Sequence, residues 1–450
     1  MIEMITQATE KLKEEIIEFF QGTNHSIDAA ERDLDAAVCK CVSEIIAAYY
    51  EKLDDELLAD KVGRKKSGLV VERRKDKRQI LTRYGMITFS RTYYAHKSGG
   101  YCYPIDAVAG LEGYERVSDG VASALCEKAR KYSYGEASSM AAGGLVSKQT
   151  VMNKIRMLEK QAEIHKIKKC VPVLHIDADE DHISLQDGSN TIAPLVSVYE
   201  GINTQNKRHF CENIIHFPYF ETKPDDIWES VLNSLEEIYD LQNTRIYVHG
   251  DGGSWIRAAE GWLPNMTFVL DRYHYNKYLK RVLACLDGHL RGNYSGRIRT
   301  AIKEESAEKL LIIWDELLEL NPNREKELRD SFLYLLDNMA AIAIYDKDPE
   351  ARRGGATEPH VSHVLSERLS MRPLGWSRET LRHFVPFLGS GQFKMKKQQL
   401  DVLPIVKEKI AAAKPAKPKY SLGLVHPDLA VTFPAKNNKV TPLFRLLRPY

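Results

Sequence analysis

His175-Ile176-Asp177-Ala178-Asp179-Glu180-Asp181-His182 is the stretch from which this chain is best read. In an extended strand successive side chains alternate between faces, so Asp177, Asp179 and Asp181 share one face. Three carboxylates side by side repel one another unless protons or a cation neutralise them. A strand that only served packing would not keep them. Hard divalent cations take oxygen ligands, often one or two carboxylates completed by water and phosphate, and this is the chemistry the pattern suggests.

Two further stretches carry acidic residues at positions of similar character. Arg245-Ile246-Tyr247-Val248-His249-Gly250-Asp251-Gly252-Gly253 reads as an apolar strand ending at an aspartate, followed by a glycine turn before a helix from Ser254. In open α/β sheets ligands gather beyond the carboxyl ends of strands, where Asp251 would sit. The glycines fit neither a dinucleotide fingerprint nor a phosphate loop, since no Gly-Lys-Ser follows. Downstream, Gly354-Gly355-Ala356-Thr357-Glu358-Pro359-His360 leads into a helix with Val361, Val364 and Leu365 as its buried stripe. Proline favours the first helical turn, so Pro359 is expected to start the helix, with Thr357 or Glu358 as its cap.

The surrounding pattern is that of an α/β unit. Residues 171–186, 191–199 and 209–220 read as three successive strands, 226–239 as a helix, 244–249 as a buried strand, 254–262 as a helix and 266–271 as a strand. Three meandering strands followed by alternating helix and strand is the order of a ribonuclease-H-like mixed sheet, α/β in its core and α+β over the whole chain. Residues 275–345 are almost wholly helical and interrupt that unit before Glu358.

Together the three acidic elements resemble the catalytic signature of DDE transposases with a ribonuclease-H-like core, and more closely a bacterial insertion-sequence family distantly related to the Mutator-like elements. The resemblance covers residues 118–390. It implies Asp179, Asp251 and Glu358 as the catalytic, metal-holding carboxylates, at spacings of about 72 and 107 residues that leave room for inserted helices. Asp177 is an equally good chemical candidate for the first ligand. The phase of Ile183 and Leu185 matches the family's Asp-Gly-x-x-Val pattern better from Asp179, although Glu180 stands where many relatives have Gly. Asp271-Arg272-Tyr273-His274 looks like the short Asp-x-x-His element of Mutator-like transposases, with His274 orienting a phosphate or assisting proton transfer. His360, His363 and Glu367 lie near Glu358 as further candidates. The implied cofactor is a pair of magnesium or manganese ions about 3.5–4 Å apart, serving strand cleavage and then strand transfer. The implied partner is double-stranded DNA, both the element's terminal inverted repeats and the target, bound by a homo-oligomer. The alternatives are a non-catalytic DNA-binding protein derived from a transposase, and a metal-dependent nuclease that cuts without joining.

Charge patterning supplies the rest. The chain has 450 residues and a net charge of +2, yet residues 1–60 carry 15 acidic and 5 basic side chains while residues 61–97 carry 12 basic and 2 acidic. Arg73, Arg74, Lys75, Lys77 and Arg78 are the centre of that basic block, with Tyr84, Phe89, Tyr93 and Tyr94 interleaved. Such density attracts polyanions by releasing counterions from phosphates. Residues 5–20 and 27–58 read as amphipathic helices and 69–94 as a β-hairpin. Gly143-Gly144 between two short helices, with Ser147 capping the second, suggests a helix-turn-helix whose Lys148, Gln149, Asn153 and Lys154 face the major groove.

The expected organisation is a helical region over 1–60, a basic β-rich DNA-binding region over 61–117, a helix-turn-helix over 118–165 and the first part of the catalytic core over 166–285. An inserted helical domain follows over 286–350, then the second part of the core over 351–390 and a basic tail over 391–450. Within that tail, residues 411–419 read as an Ala, Lys and Pro linker. No apolar run is long enough to cross a bilayer, and seven scattered cysteines without a Cys-x-x-Cys pair fit a reducing, cytoplasmic, nucleoid-associated protein.

Overall fold

The computed structural model describes residues 2–23, 26–161, 168–206, 208–353, 355–372, 374–397 and 400–412. Gly354, Lys414, Lys417, Lys419 and the tail beyond residue 412 lie outside the described residues. The chain divides into two compact units. One comprises Met1–Arg78, Thr88–Leu111 and the residues from Leu400, and the other Gln79–Ile87 and Glu112–Gln399.

In the first unit, helices Ile2–Gln21 and Ile27–Ala59 form a hairpin tied by Lys40–Glu15 and Lys11–Glu44 ion pairs. Ser26 caps the second helix by accepting the Ala29 N–H. Strands Leu69–Thr82, Gly85–His96 and Tyr101–Cys102 make a three-stranded sheet in that order, and the hairpin tip Gln79–Ile87, with its turn at Arg83-Tyr84 as expected, is counted with the second unit. The Asp54 carboxylate accepts both the backbone N–H and the hydroxyl of Thr92, at 3.0 and 2.7 Å. Helix Pro404–Ala412 packs into the same core through Ile405 and Val406, so the expected C-terminal tail contains a helix.

The second unit is built on a five-stranded sheet. Its order is Met266–Leu270, Arg245–Gly250, Val173–Ser184, Asn190–Tyr199, Ile215–Pro218. The first three of these run parallel, and the Asn190 strand is antiparallel to both of its neighbours. The expected third strand over 209–220 is split. Asn213 takes a left-handed φ of 51°, which ends a separate hairpin, Gly201–Gln205 with Arg208–Glu212, before the sheet resumes at Ile215.

One face of the sheet, with Leu174, Ile176, Ala178, Val196, Val198, Ile246 and Val248, packs on helix Pro224–Ile238 and on the interrupting helices. Those helices, Gly288–Lys303, Ala307–Leu320, Glu325–Asp337 and Met339–Lys347, contribute Ile298, Leu310, Ile313, Leu317 and Phe332 to the same hydrophobic cluster. The expected inserted domain therefore shares the sheet's core. The other face carries Ile183, Leu185 and Leu195 against helices Asp119–Ala129, Tyr134–Ala142, Lys148–Arg156 and Arg378–Leu388. Strand Phe393–Met395 pairs antiparallel with Leu158–Lys160, so the expected tail also starts with a strand.

Candidate functional site

The three aspartates of the central strand face one element, the helix that starts at Thr357, and each meets it differently. Asp177 is 2% exposed. Its carboxylate accepts the backbone N–H groups of Gly355 and Ala356, at 3.1 and 2.9 Å, and the Tyr199 hydroxyl at 3.2 Å. His360 Nδ1 lies 3.1 Å away. Burial acts to raise the Asp177 carboxyl, but His360, His249 and the Gly355 N–H outweigh it and hold it below the usual carboxylate range. Asp181 accepts the hydroxyls of Ser366 and Ser370 at 3.0 and 2.8 Å, and burial still raises it.

Asp179, between them, has a different environment. It accepts one backbone N–H, from Glu180, at 2.8 Å. Burial, and then the carboxylates of Glu358, Asp251 and Asp271, push its carboxyl up to about 7. Strand register explains the grouping. Asp177 pairs with His249, so Asp179 lies level with the residue two further on, Asp251. The adjoining parallel strand pairs Leu270 with Gly250, which puts Asp271 at the same sheet end, its N–H donating to the Gly250 carbonyl at 2.9 Å. Gly250 is required there, because a Cβ would stand 2.9 Å from the Ala178 carbonyl oxygen.

The Glu358 helix is fixed by its first residues. It starts at Thr357 with Ala356 as its cap, two residues before the expected start at Pro359, and neither Thr357 nor Glu358 serves as the cap. Asp177 takes the Gly355 and Ala356 N–H groups, and the Thr357 hydroxyl donates to the Asp271 carboxylate. Pro359 falls at the third helical position, where its missing N–H would have had no intrahelical partner. Residues Ser362–Ser366 form a π-turn within the helix, a distortion often found at functional sites.

The other sequence-predicted residues divide. His274 sits in the first turn of helix Arg272–Leu283, which Asp271 caps, and its Nδ1 is buried without a hydrogen-bond partner among the described residues. His363 and Glu367 pair with each other at 2.8 Å, outside the carboxylate group. Asp177, offered as an alternative first ligand, is instead occupied as the anchor of the Gly355–Thr357 segment. No three His, Cys, Asp or Glu side chains among the described residues are drawn together as a ready-made metal cage. Sequence reasoning missed the partners of the Asp251 turn. Tyr334 donates its hydroxyl to the Asp251 carbonyl at 2.5 Å, and Arg257 donates to Asn338 Oδ1 at 2.9 Å.

Of the expected DNA-facing residues, Arg74, Lys75 and Lys77 are exposed on the first unit's sheet. Arg73 is exposed but paired with Asp76 at 2.6 Å. Arg78 is buried beside Asp106, because it falls on the inward phase of its strand, so it does not present to solvent. In the second unit, Ser147 caps helix Lys148–Arg156 by accepting the Thr150 N–H, and Gly143 and Gly144 take left-handed φ values of 57° and 79° in the turn before it. Lys148, Gln149 and Asn153 are exposed, with Gln149 donating to Asn153 at 3.1 Å. Lys154 is the exception. It is 8% exposed and ion-paired to Glu115 at 3.0 Å, because it sits one turn behind the buried Val151 and beside Ile155, and it cannot face a groove.

All seven cysteines are free, and among the described residues no helix is long and apolar enough to cross a membrane.

Comparison with known proteins gives a consistent family. Residues 23–393 match the model of an uncharacterised protein family, UPF0236, and the chain belongs to that family. A UPF0236 protein of Caldanaerobacter subterraneus subsp. tengcongensis is 34% identical over 99% of this chain and 97% of its own length, and its name joins four locus designations. Another from the same organism is 40% identical over 75% of this chain and 72% of its own length, and its name joins eleven. Among solved structures, a chain from the simian T-cell lymphotropic virus intasome in complex with PP2A regulatory subunit B56 gamma matches 43% of this chain and 63% of that one, at 12% identity. Its TM-score of 0.16 is too low to carry an argument.

Proposed function

We propose that this member of the UPF0236 family is a DNA transposase with a ribonuclease-H-like core, cutting at element ends and joining the freed 3′-hydroxyl to target DNA. The observation that carries the reading is the strand register that sets Asp179 level with Asp251 at one end of the sheet, where burial, and then the carboxylates of Glu358, Asp251 and Asp271, raise the Asp179 carboxyl to about 7. The strand order supports it. A central strand continued on one side by a meander, each strand antiparallel to the one before, and on the other by two parallel strands is the arrangement expected of a ribonuclease-H-like sheet. The joined designations of the relatives also fit a gene that multiplies within a genome, as a mobile element does.

The donor set suits magnesium or manganese, because crowded carboxylate oxygens with few hydrogen-bond donors are what a hard cation neutralises. Asp179, Asp251 and Glu358 would hold two ions, which when bound supply an activated nucleophile and stabilise the departing oxygen of an in-line displacement. The chain's own residues supply the positioning. Asp177 and Asp271 fix the segment that carries Glu358, and His274 stands in the first turn of the helix that Asp271 caps. In the first step a water oxygen attacks phosphorus and the bond to the 3′ oxygen breaks. In the second that 3′ oxygen attacks a target phosphorus, and the target strand's own 3′ oxygen leaves.

The test is incubation of the purified full chain with labelled element-end duplex, target plasmid and magnesium. Cleavage and joined product are expected from the unmodified chain and from neither Asp251→Asn nor Glu358→Gln, with DNA affinity retained in both. Cleavage that survives in Asp251→Asn overturns the site, and cleavage without joining makes the protein a nuclease.

A further inference from the structure

The helices between the second and third carboxylates contribute directly to the turn that bears Asp251. That turn has few ties of its own. Asp251 Oδ1 accepts the Gly253 N–H at 2.8 Å, and Gly252 takes a left-handed φ of 86°. A further tie comes from the interrupting helices, where Tyr334, in helix Glu325–Asp337, donates its hydroxyl to the Asp251 carbonyl at 2.5 Å. The Tyr334 ring stacks on Tyr278 with centroids 3.7 Å apart and planes 19° apart, and Tyr278 belongs to the helix that Asp271 caps.

One turn later Asn338 closes a second loop. Its Nδ2 donates to the Tyr334 carbonyl at 3.0 Å and its Oδ1 accepts from Arg257 at 2.9 Å. Arg257, in the helix that follows the Asp251 turn, lies over the Phe268 ring at 3.7 Å. A Cβ on Gly252 would stand 3.0 Å from that same Asn338 Oδ1, so the amide is packed against the turn backbone.

We infer that Tyr334 is a positioning residue for Asp251, and that through its hydroxyl the interrupting helices set where that carboxylate stands relative to Asp179. The inference rests on the reading of Asp251 as a site carboxylate. A stacked ring needs no hydroxyl, so the stack with Tyr278 accounts for packing and the hydroxyl accounts for the turn.

The experiment compares the full-length chain with Tyr334→Phe, Tyr334→Ala and Asp251→Asn. It reads cleavage of element-end duplex against magnesium concentration and, without DNA, the rise in Tm on adding manganese. Tyr334→Phe, which keeps the stack, should retain the metal-free Tm and the DNA affinity. It should need about tenfold more magnesium, the equivalent of roughly one lost hydrogen bond, and give a smaller manganese-induced rise. Tyr334→Ala should lower the metal-free Tm as well. A Tyr334→Phe variant with the unmodified magnesium requirement and manganese response overturns the inference, as does one whose only change is a lowered Tm. A manganese response that Asp251→Asn leaves intact means that the reading of Asp251 has failed, and the positioning role falls with it.

Discussion

The Asp177 carboxylate accepts the backbone N–H of Ala356 at 2.9 Å, two residues before Glu358. A buried anion on the first core strand thus holds the entrance of the helix that carries the last carboxylate. Asp177 and Asp179, neighbours on one strand face, have separate tasks.

That separation predicts opposite stability effects. Asp177→Ala leaves the Ala356 N–H and the Tyr199 hydroxyl without a buried acceptor and the Gly355 N–H with the Tyr199 oxygen alone, and should lower stability by about 2–4 kcal/mol while abolishing cleavage. Asp179→Asn should abolish cleavage with no such loss. Denaturant unfolding of the two variants checks this, and equal destabilisation of both would return Asp177 and Asp179 to the same role.

The pH dependence of the metal-free protein follows from Asp179. Its folded pKa, about 7, lies above the ordinary 3.8, so the fold favours the protonated carboxyl. The stability it contributes is complete below about pH 4 and is lost as pH rises through 7. In chelator, Asp179→Asn should therefore gain on the unmodified chain between pH 5 and 8 by about 2 kcal/mol, allowing for partial solvent contact. A Tm difference that stays constant across that range would place Asp179 outside the carboxylate group.

DNA recognition should divide along the Lys148 helix. Gln149→Ala with Asn153→Ala should reduce discrimination between element ends and random DNA more than total affinity, because amides read base edges. Lys154→Ala should instead lower thermal stability and leave discrimination unchanged, since its charge is spent on Glu115. Competition binding with specific and random duplexes, beside a melting curve, separates the two.

On the basic strand, replacing Arg74, Lys75 and Lys77 with Ala should weaken binding to all sequences alike. Each lost phosphate contact lowers the slope of log affinity against log salt by about 0.9. Arg78→Ala should act through folding, because that side chain is buried. A salt slope unchanged in the triple variant would remove this strand from the DNA-binding surface.

The sheet was largely legible because its signal is local. Apolar runs such as Ile246–Val248 and alternation such as Asp177–Asp181 reveal strand and face from neighbouring residues. The third strand was overextended because a left-handed residue at Asn213 leaves no trace in hydropathy. The three carboxylates could be proposed from residue type and spacing, but choosing Asp179 over Asp177 needed partners about 178 residues away. Those partners are backbone N–H groups, which every sequence contains. Lys154 and Arg78 were misread for a related reason. Arg78 was taken as part of a charged run and Lys154 as part of a groove-facing polar face, whereas burial is set by the position of each side chain on its helix or strand.

The distance along the chain between the central strand and the groups that settle it also orders events during synthesis. Apart from the Tyr199 hydroxyl and the backbone N–H of His182, the donors to Asp177 and Asp181 described above lie at or beyond Gly355. A ribosome that has made the first 350 residues has supplied every strand of the sheet and neither the third carboxylate nor the helix that receives the first strand's aspartates. A prematurely terminated chain therefore lacks Glu358 and leaves the Asp177 and Asp181 carboxylates without the segment that answers them in the finished fold.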